Sequence, residues 1–293
     1  MQYTLKNNDL TVTFTTLGAS LHSIQNREGL EYLWQGDATY WSGQAPVLFP
    51  ICGSIRGDQA FLKNGKVTKM PRHGIVRKKE FKLVSQSEDQ ITFGIESTPE
   101  MLEQYPFPFC LEITYTLRGG SIRTEYRVQN RSEERMPFQI GGHPGFNCPL
   151  LPGESYEDYY IEFDQVENCT CPTPVPETGL IDMEHRNETL VNTNLFPLSH
   201  ELFHVDATVF DGLLSRKATL KSRTNPHTVT VSFEDLPYLI LWSSANNGPF
   251  VAIEPWVGLS TCSDEGDRFE EKRNMQFAEP GETRTYGFTI TID

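Results

Sequence analysis

The sequence has little that would tie it to a charged polymer. Its 293 residues hold 25 lysines and arginines against 39 aspartates and glutamates, a formal net charge of −14, with a pI near 5.0. That balance excludes the basic footprint that nucleic acids and anionic membrane surfaces require. No stretch approaches the roughly 18 consecutive apolar residues of a membrane span. The opening MQYTLKNNDLTVTF shows no basic segment followed by an apolar run, so no secretory signal and a cytoplasmic location are expected. Cysteine is sparse and scattered, at Cys52, Cys110, Cys148, Cys169, Cys171 and Cys262. The single C-x-C lacks the paired spacing of a zinc site, and a chain this long needs no crosslinks, so reduced structural thiols are expected.

Several chemical signatures are also missing. There is no G-x-S-x-G elbow, no glycine-rich phosphate loop ending in G-K-S/T and no dinucleotide-binding fingerprint. A serine hydrolase or a nucleotide enzyme is therefore unsupported. His73 and His143 are not part of an H-x-D/E motif, which argues against an iron site of two histidines and one carboxylate. Neither a metal nor a cofactor is expected. Helix signals are scarce as well. Only TPEMLEQYP offers one, with Thr98 as cap and Pro99 at the first helical position.

What is present is a succession of short alternating segments divided by turn residues. LKNNDLTVTFTT reads as a hairpin, FLKNGKVTKM turns at Asn64-Gly65, and LEITYTLRGGSIRTEYRVQN turns at Gly119-Gly120. HTVTVSFEDLPYLILWSS and GPFVAIEPW supply three more strands, and TRTYGFTITI closes the chain as another. This pattern predicts an all-β chain with little helix, an antiparallel sandwich or barrel, as one domain over residues 1–293. The stretch from CPLLPGESYEDYY to CTCPTPVPETGL is rich in proline and acid and reads as long loops around one strand. Such loops on a β scaffold are common binding sites.

Three places carry residues suited to chemistry: His73 in MPRHGIVRKKEF, His143 in IGGHPGFN, and Glu254 in FVAIEPWVG. His143 and Glu254 each directly precede a proline, whose ring keeps its neighbour out of the helical region. Both backbones are thus held extended, which suits a positioned acid or base. Glu254 also follows Phe250 and Ala252 at the two-residue period of a strand. On an apolar face its carboxyl is desolvated, which raises its pKa toward the range useful for proton transfer. Plainer readings stand beside these. A single histidine in a β protein is more often a hydrogen-bonded structural residue, and Glu254 is equally readable as an edge-strand charge. Trp242 and Trp256 are either core aromatics or platforms for a sugar ring.

Taken in order, PRHGIVR, GGHPGFN and IEPWVG resemble the aldose 1-epimerase (galactose mutarotase-like) family, and most closely its bacterial branch, whose motifs run H-G-F-x-R, G-G-H-P-x-F-N and E-P-W. LFPICG at 48–53, FHVDATVF at 203–210 and EEKRNMQFAEPGET at 270–283 fit the same branch, so the resemblance spans nearly the whole chain. It implies a large antiparallel β-sandwich of the galactose mutarotase type with an open cleft. It also implies a reaction without cofactor, the interconversion of α and β anomers of a free hexose such as glucose or galactose. Matched motif to motif, Glu254 resembles the general base at the C1 hydroxyl and His143 the general acid at the ring oxygen. His73 resembles the second histidine, which hydrogen-bonds the sugar near that oxygen. Asp206 is similar in context to an aspartate that grips sugar hydroxyls, and Arg77 fits the arginine of H-G-x-x-R. Trp256 and Phe146 are candidates to pack on the apolar faces of the ring. One position departs from the family: ICGSIRG has Ser54 where an arginine usually follows glycine. Arg56, two residues later and on the same side of a strand, is the candidate substitute. A cationic cluster of Arg56, Arg72, Arg77, Lys78 and Lys79 keeps a hexose 6-phosphate open as the substrate. A sugar-binding or regulatory protein without turnover is the alternative from another class. A monomer or homodimer is expected.

Overall fold

Strand Phe109–Arg118 alternates buried and half-exposed side chains along its length, then turns at Gly119-Gly120 into Ser121–Asn130 in unbroken register. That hairpin sits inside a nine-stranded antiparallel sheet. Its order runs Leu180–Pro197, Tyr159–Val175, Lys217–Ser222, Thr228–Ser232, Thr283–Ile292, Ser121–Asn130, Phe109–Arg118, Gln90–Glu96, Lys82–Gln86. The computed structural model describes residues 1–293 and places 51% of them in strands against 6% in helix. The all-β expectation holds. The one α-helix is Pro99–Gln104, where the Thr98 hydroxyl accepts the Met101 N–H at 3.4 Å, as the sequence predicts. None of the helices is long and apolar enough to cross a membrane.

A second, six-stranded sheet carries the chemistry-bearing segments. Thr208–Phe210, Tyr238–Trp242, Phe250–Trp256, Gly141–Gly142 and Val47–Leu48 lie side by side, and Gly145–Asn147 also pairs with Phe250–Trp256. Period-two alternation divides its residues between two apolar environments. Leu239, Leu241, Val251 and Ile253 join Ile113, Tyr126, Phe288 and Ile290 of the larger sheet in one core of 68 residues. Ile240 and Trp256 point to the opposite face, into a smaller cluster with Leu48, Val209 and Leu259. The six-stranded sheet is therefore covered on both faces, which explains why Phe250–Trp256 is buried at every position. Each fully buried Val or Ile in it contributes about 1.5–3 kcal/mol of apolar burial.

Close approach of the two sheets depends on a glycine. A Cβ at Gly142 would lie 2.6 Å from the Phe288 ring and 3.0 Å from the Tyr126 hydroxyl, both on the larger sheet.

The proline-rich stretch corrects the expectation of loops. Most of it forms two long paired strands, Tyr159–Val175 and Leu180–Pro197. Only Tyr159–Phe163 is also paired on its other side, with Ala218–Ser222. Pro172 and Pro174 lie in the distal half, where just one edge is paired and register shifts interrupt the ladder. Proline is tolerated there because it has few ladder bonds to remove. The hairpin tip is tied to the segment that follows Phe250–Trp256: the Ile181 N–H donates to the Thr261 carbonyl at 3.1 Å, and Ser263 N–H donates to the Ile181 carbonyl at 2.7 Å.

Gly142→Ala should destabilise the fold by about 1–3 kcal/mol through overpacking against Phe288 and Tyr126. Urea unfolding checks this; an unchanged midpoint would show that the sheets can part at that point without cost.

Candidate active site

The ladder itself brings the two pre-proline residues together. Gly141 pairs with Trp256, and Gly145 pairs with Ala252. Between these two pairs the register sets His143 directly opposite Glu254. Pro144 has no N–H to give, so the ladder is interrupted there, although its carbonyl still accepts the Ile253 N–H at 3.1 Å. Side chains opposite one another in an antiparallel pair share a face. His143 Nε2 accordingly lies 3.3 Å from Glu254 Oε2, with both residues buried.

The distance is that of an ion pair, but the groups are not aligned as a hydrogen bond. Neither carboxyl oxygen of Glu254 nor Nδ1 of His143 has a hydrogen-bond partner. Burial disfavours charge on both. It pushes the Glu254 carboxyl well above the usual carboxylate range, opposed by the nearby charge of Arg72. It pushes the His143 imidazole down to about 3, and the charges of Arg72 and Arg77 act in the same direction. Burial thus favours the neutral pair, with one proton held on the carboxyl side.

His73 is fixed differently. Its backbone is left-handed, with φ of 69°, an uncommon and strained setting for a residue other than glycine. The LFPICG segment imposes it: His73 N–H donates to the Gly53 carbonyl at 2.8 Å, and Ile75 N–H donates to the Phe49 carbonyl at 2.9 Å. Gly53 N–H in turn donates to His73 Nδ1 at 3.1 Å. Burial first, then the charges of His143, Arg72 and Arg77, hold the His73 imidazole well below its usual range. The ring is neutral, and its proton must sit on Nε2. It lies edge-on to both His143 and Trp256, with ring centres 5.5 Å apart in each case.

These groups line a cleft of about 230 Å³, a little below the usual range of ligand pockets. Arg77, Asp206 and Trp256 line it too. Asp206 Oδ2 lies 3.7 Å from Arg72 Nη2, and its Oδ1 accepts the Ala207 N–H at 2.9 Å. Trp256 is nearly buried and its indole N–H has no partner. Two expectations fail. Phe146 lies in the main core and not in the cleft. Arg56 does not take the place expected of it. The chain leaves extended geometry after Ile55 and enters a short 3₁₀ turn, Arg56–Asp58, so the strand period no longer applies. Arg56 pairs instead with Asp267 at 2.9 Å, half exposed and outside the cleft. Ser54 faces Gly179 of the long hairpin, whose Cβ, if present, would lie 2.7 Å from the Ser54 hydroxyl and 3.8 Å from Arg72 Nη1. The guanidinium bordering that space is that of Arg72. The sequence gives no sign of Trp41, which lines the cleft and stacks on the His143 ring with centres 4.8 Å apart.

A family model described as Aldose 1-epimerase matches residues 1–286. The chain belongs to the aldose 1-epimerase family. Among relatives in this family, the plasmid-encoded and chromosomal LacX proteins of Lactococcus lactis subsp. lactis are each 48% identical to it. Both alignments cover 100% of this chain and 99% of the relative. The galactose mutarotase related enzyme of Lactobacillus acidophilus superposes with a TM-score of 0.94 at 32% identity, covering 100% of this chain and 97% of that one. A galactose mutarotase-like protein of Lactobacillus casei gives 0.90 at 29% identity, with both chains covered completely. The fold of this aldose 1-epimerase family member is that of the galactose mutarotase-like proteins.

A raised folded-state pKa means that Glu254 stabilises the fold fully only below its ordinary value near 4.5. That contribution is lost as pH rises through the folded-state pKa. Glu254→Gln, neutral at every pH, should therefore gain stability over the native protein on going from about pH 5 to about pH 8. Paired urea unfolding curves at the two pH values check this. A constant difference would mean that the fold does not hold Glu254 protonated.

Proposed function

We propose that the protein is an aldose 1-epimerase, interconverting the α and β anomers of an aldose by acid–base ring opening without metal or cofactor. The observation that carries this reading is the buried His143–Glu254 pair, 3.3 Å apart in a cleft sized for one sugar ring. Ring opening of a hemiacetal needs one group to take the C1 hydroxyl proton and another to give a proton to the ring oxygen.

Glu254 is the base and His143 the acid. Sugar hydroxyls hydrogen-bonded to Glu254, together with the charge of Arg72, favour the carboxylate and pass its proton to His143. The resulting carboxylate and imidazolium are both unfavourable in this burial, so each is primed to react. Glu254 removes the C1 hydroxyl proton, the C1–ring oxygen bond breaks, and His143 protonates the ring oxygen. The open-chain aldehyde then faces a neutral carboxyl and a neutral imidazole, the state that burial favours. Rotation about C1–C2 presents the other carbonyl face. Ring closure returns the carboxyl proton to the C1 oxygen and the hydroxyl proton to His143. His73 donates from Nε2 to the sugar near its ring oxygen, and Asp206 and Arg77 hold hydroxyls.

One observation favours a phosphorylated sugar as a second reading. The half-buried Arg77 side chain lines the cleft without any ion pair or hydrogen bond, and Arg72 has only the 3.7 Å approach to Asp206. Two close cations, one of them unpartnered, suit a dianion. A binding protein without turnover has less support, because binding alone does not call for a buried acid beside a base.

NMR exchange between anomers of glucose, galactose and their 6-phosphates tests these readings. Acceleration over buffer is expected, and the preferred series identifies the substrate class. Glu254→Gln should reduce the rate by about 10²–10⁴-fold while calorimetry still detects sugar binding. Full activity in that variant would remove Glu254 from the base role, and binding with no acceleration in the native protein would favour the binding reading.

A further inference from the structure

His143 is held in place without a hydrogen bond. Its Nδ1 is buried and unpartnered, and its Nε2 faces Glu254 at 3.3 Å without hydrogen-bond geometry. A proton-transferring histidine is ordinarily oriented through its second ring nitrogen. Here aromatic rings surround it instead. Trp41 stacks on one face, at 4.8 Å and 29° between planes. Trp242 meets it edge-on at 5.5 Å and 78°.

Trp41 is itself the third ring of a series. Its indole stacks on Phe250 at 5.4 Å and 28°, and Phe250 stacks on Trp34 at 4.9 Å and 29°. Four rings thus run from Trp34 through Phe250 and Trp41 to His143. Hydrogen bonds fix the loop that carries Trp41. Trp34 Nε1–H donates to the Trp41 carbonyl at 2.8 Å, and Trp41 N–H donates to the Asp37 carbonyl at 2.9 Å. Asn246 Nδ2 donates to the Thr39 carbonyl at 2.8 Å. Two glycines leave room for the indole: a Cβ at Gly43 would lie 2.6 Å from it, and one at Gly145 would lie 2.8 Å away.

We propose that Trp41 is the positioning residue of His143: its indole face sets the plane of the imidazole and keeps water from that side, in place of the hydrogen bond the ring lacks. The inference rests on the reading of His143 as the acid. The charged and titratable groups around the ring are Glu254 opposite, His73 at its edge, and Arg72 and Arg77 across the cleft, with Asp206 reaching it through Glu254. Substitution of Trp41 leaves all of these in place, so a change in His143 reports the indole and the water it excludes.

The test uses Trp41→Ala, Trp41→Phe and Trp34→Phe in the full-length protein, with two readouts. The first is anomer exchange on whichever of glucose, galactose or their 6-phosphates the native protein turns over fastest. The second is titration of the ¹⁵N-labelled His143 imidazole in the free protein. Trp41→Ala should lower kcat by about 100-fold, with KM changed by less than about threefold. The His143 titration should move up toward the ordinary value near 6.5 as water reaches the ring. Trp41→Phe, which keeps a stacking face, should retain kcat within about tenfold of the native value. A rise in KM with kcat intact would make Trp41 a sugar platform and overturn the proposal, as would an unmoved titration. Should Trp41→Ala fail to fold, Trp34→Phe keeps the stack and removes only the hydrogen bond to the loop. It should lower kcat by about tenfold and shift the titration in the same direction; no effect on either would overturn the proposal. Absence of anomer exchange in the native protein would refute the acid role itself, while the titration would still decide whether Trp41 holds and dries the ring.

Discussion

His143 and Glu254 face one another across an antiparallel ladder, in a space that favours charge on neither. The rest of the molecule serves that juxtaposition. The six-stranded sheet supplies the register, the nine-stranded sheet presses on its back through Phe288 and Tyr126, and the cleft closes over its front. Burial then sets the reactivity of both groups. It makes the carboxylate a stronger base and the imidazolium a stronger acid than either is in water, because both gain by losing charge. The penalty falls on the resting protein, which carries a buried carboxyl without a hydrogen-bond partner.

Much of this was legible in the sequence, because the signals were local. Alternation with Asn-Gly and Gly-Gly turns gave the hairpins, and Thr98-Pro99 gave the one helix. The shared pre-proline setting of His143 and Glu254 pointed to a common purpose, and the ordered motifs added His73, Asp206 and Arg77, all of which line the cleft. What failed did so for physical reasons. The strand period that would place Arg56 lapses where the chain turns after Ile55. The long hairpin was obscured by prolines that are harmless where a strand is paired on one side only. Trp41 is not legible because nothing in YWSGQAP relates it to GGHPGFN, about a hundred residues on; only the folded chain brings the two together.

The glycines around His143 act by what they omit. Gly142 lets the two sheets meet, and Gly145 leaves the space that the Trp41 indole occupies. The motif is therefore as much a packing device as a chemical one. Its histidine is presented between Gly142 and Pro144, with Gly145 one residue further on, so that neither the Phe288 ring nor the Trp41 indole is obstructed.

The Gly53 amide aimed at His73 creates an asymmetry between two histidines whose rings lie 5.5 Å apart. With Nδ1 already occupied by a main-chain donor, His73 has no lone pair left for a proton. Protonating it would set two N–H groups against each other and cost the bond from the Gly53 amide. His73 can therefore recognise an oxygen atom but cannot ferry a proton. His143, whose Nδ1 meets no donor, keeps that freedom, so on the proposed reaction one main-chain N–H would divide two identical side chains into a sensor and a carrier.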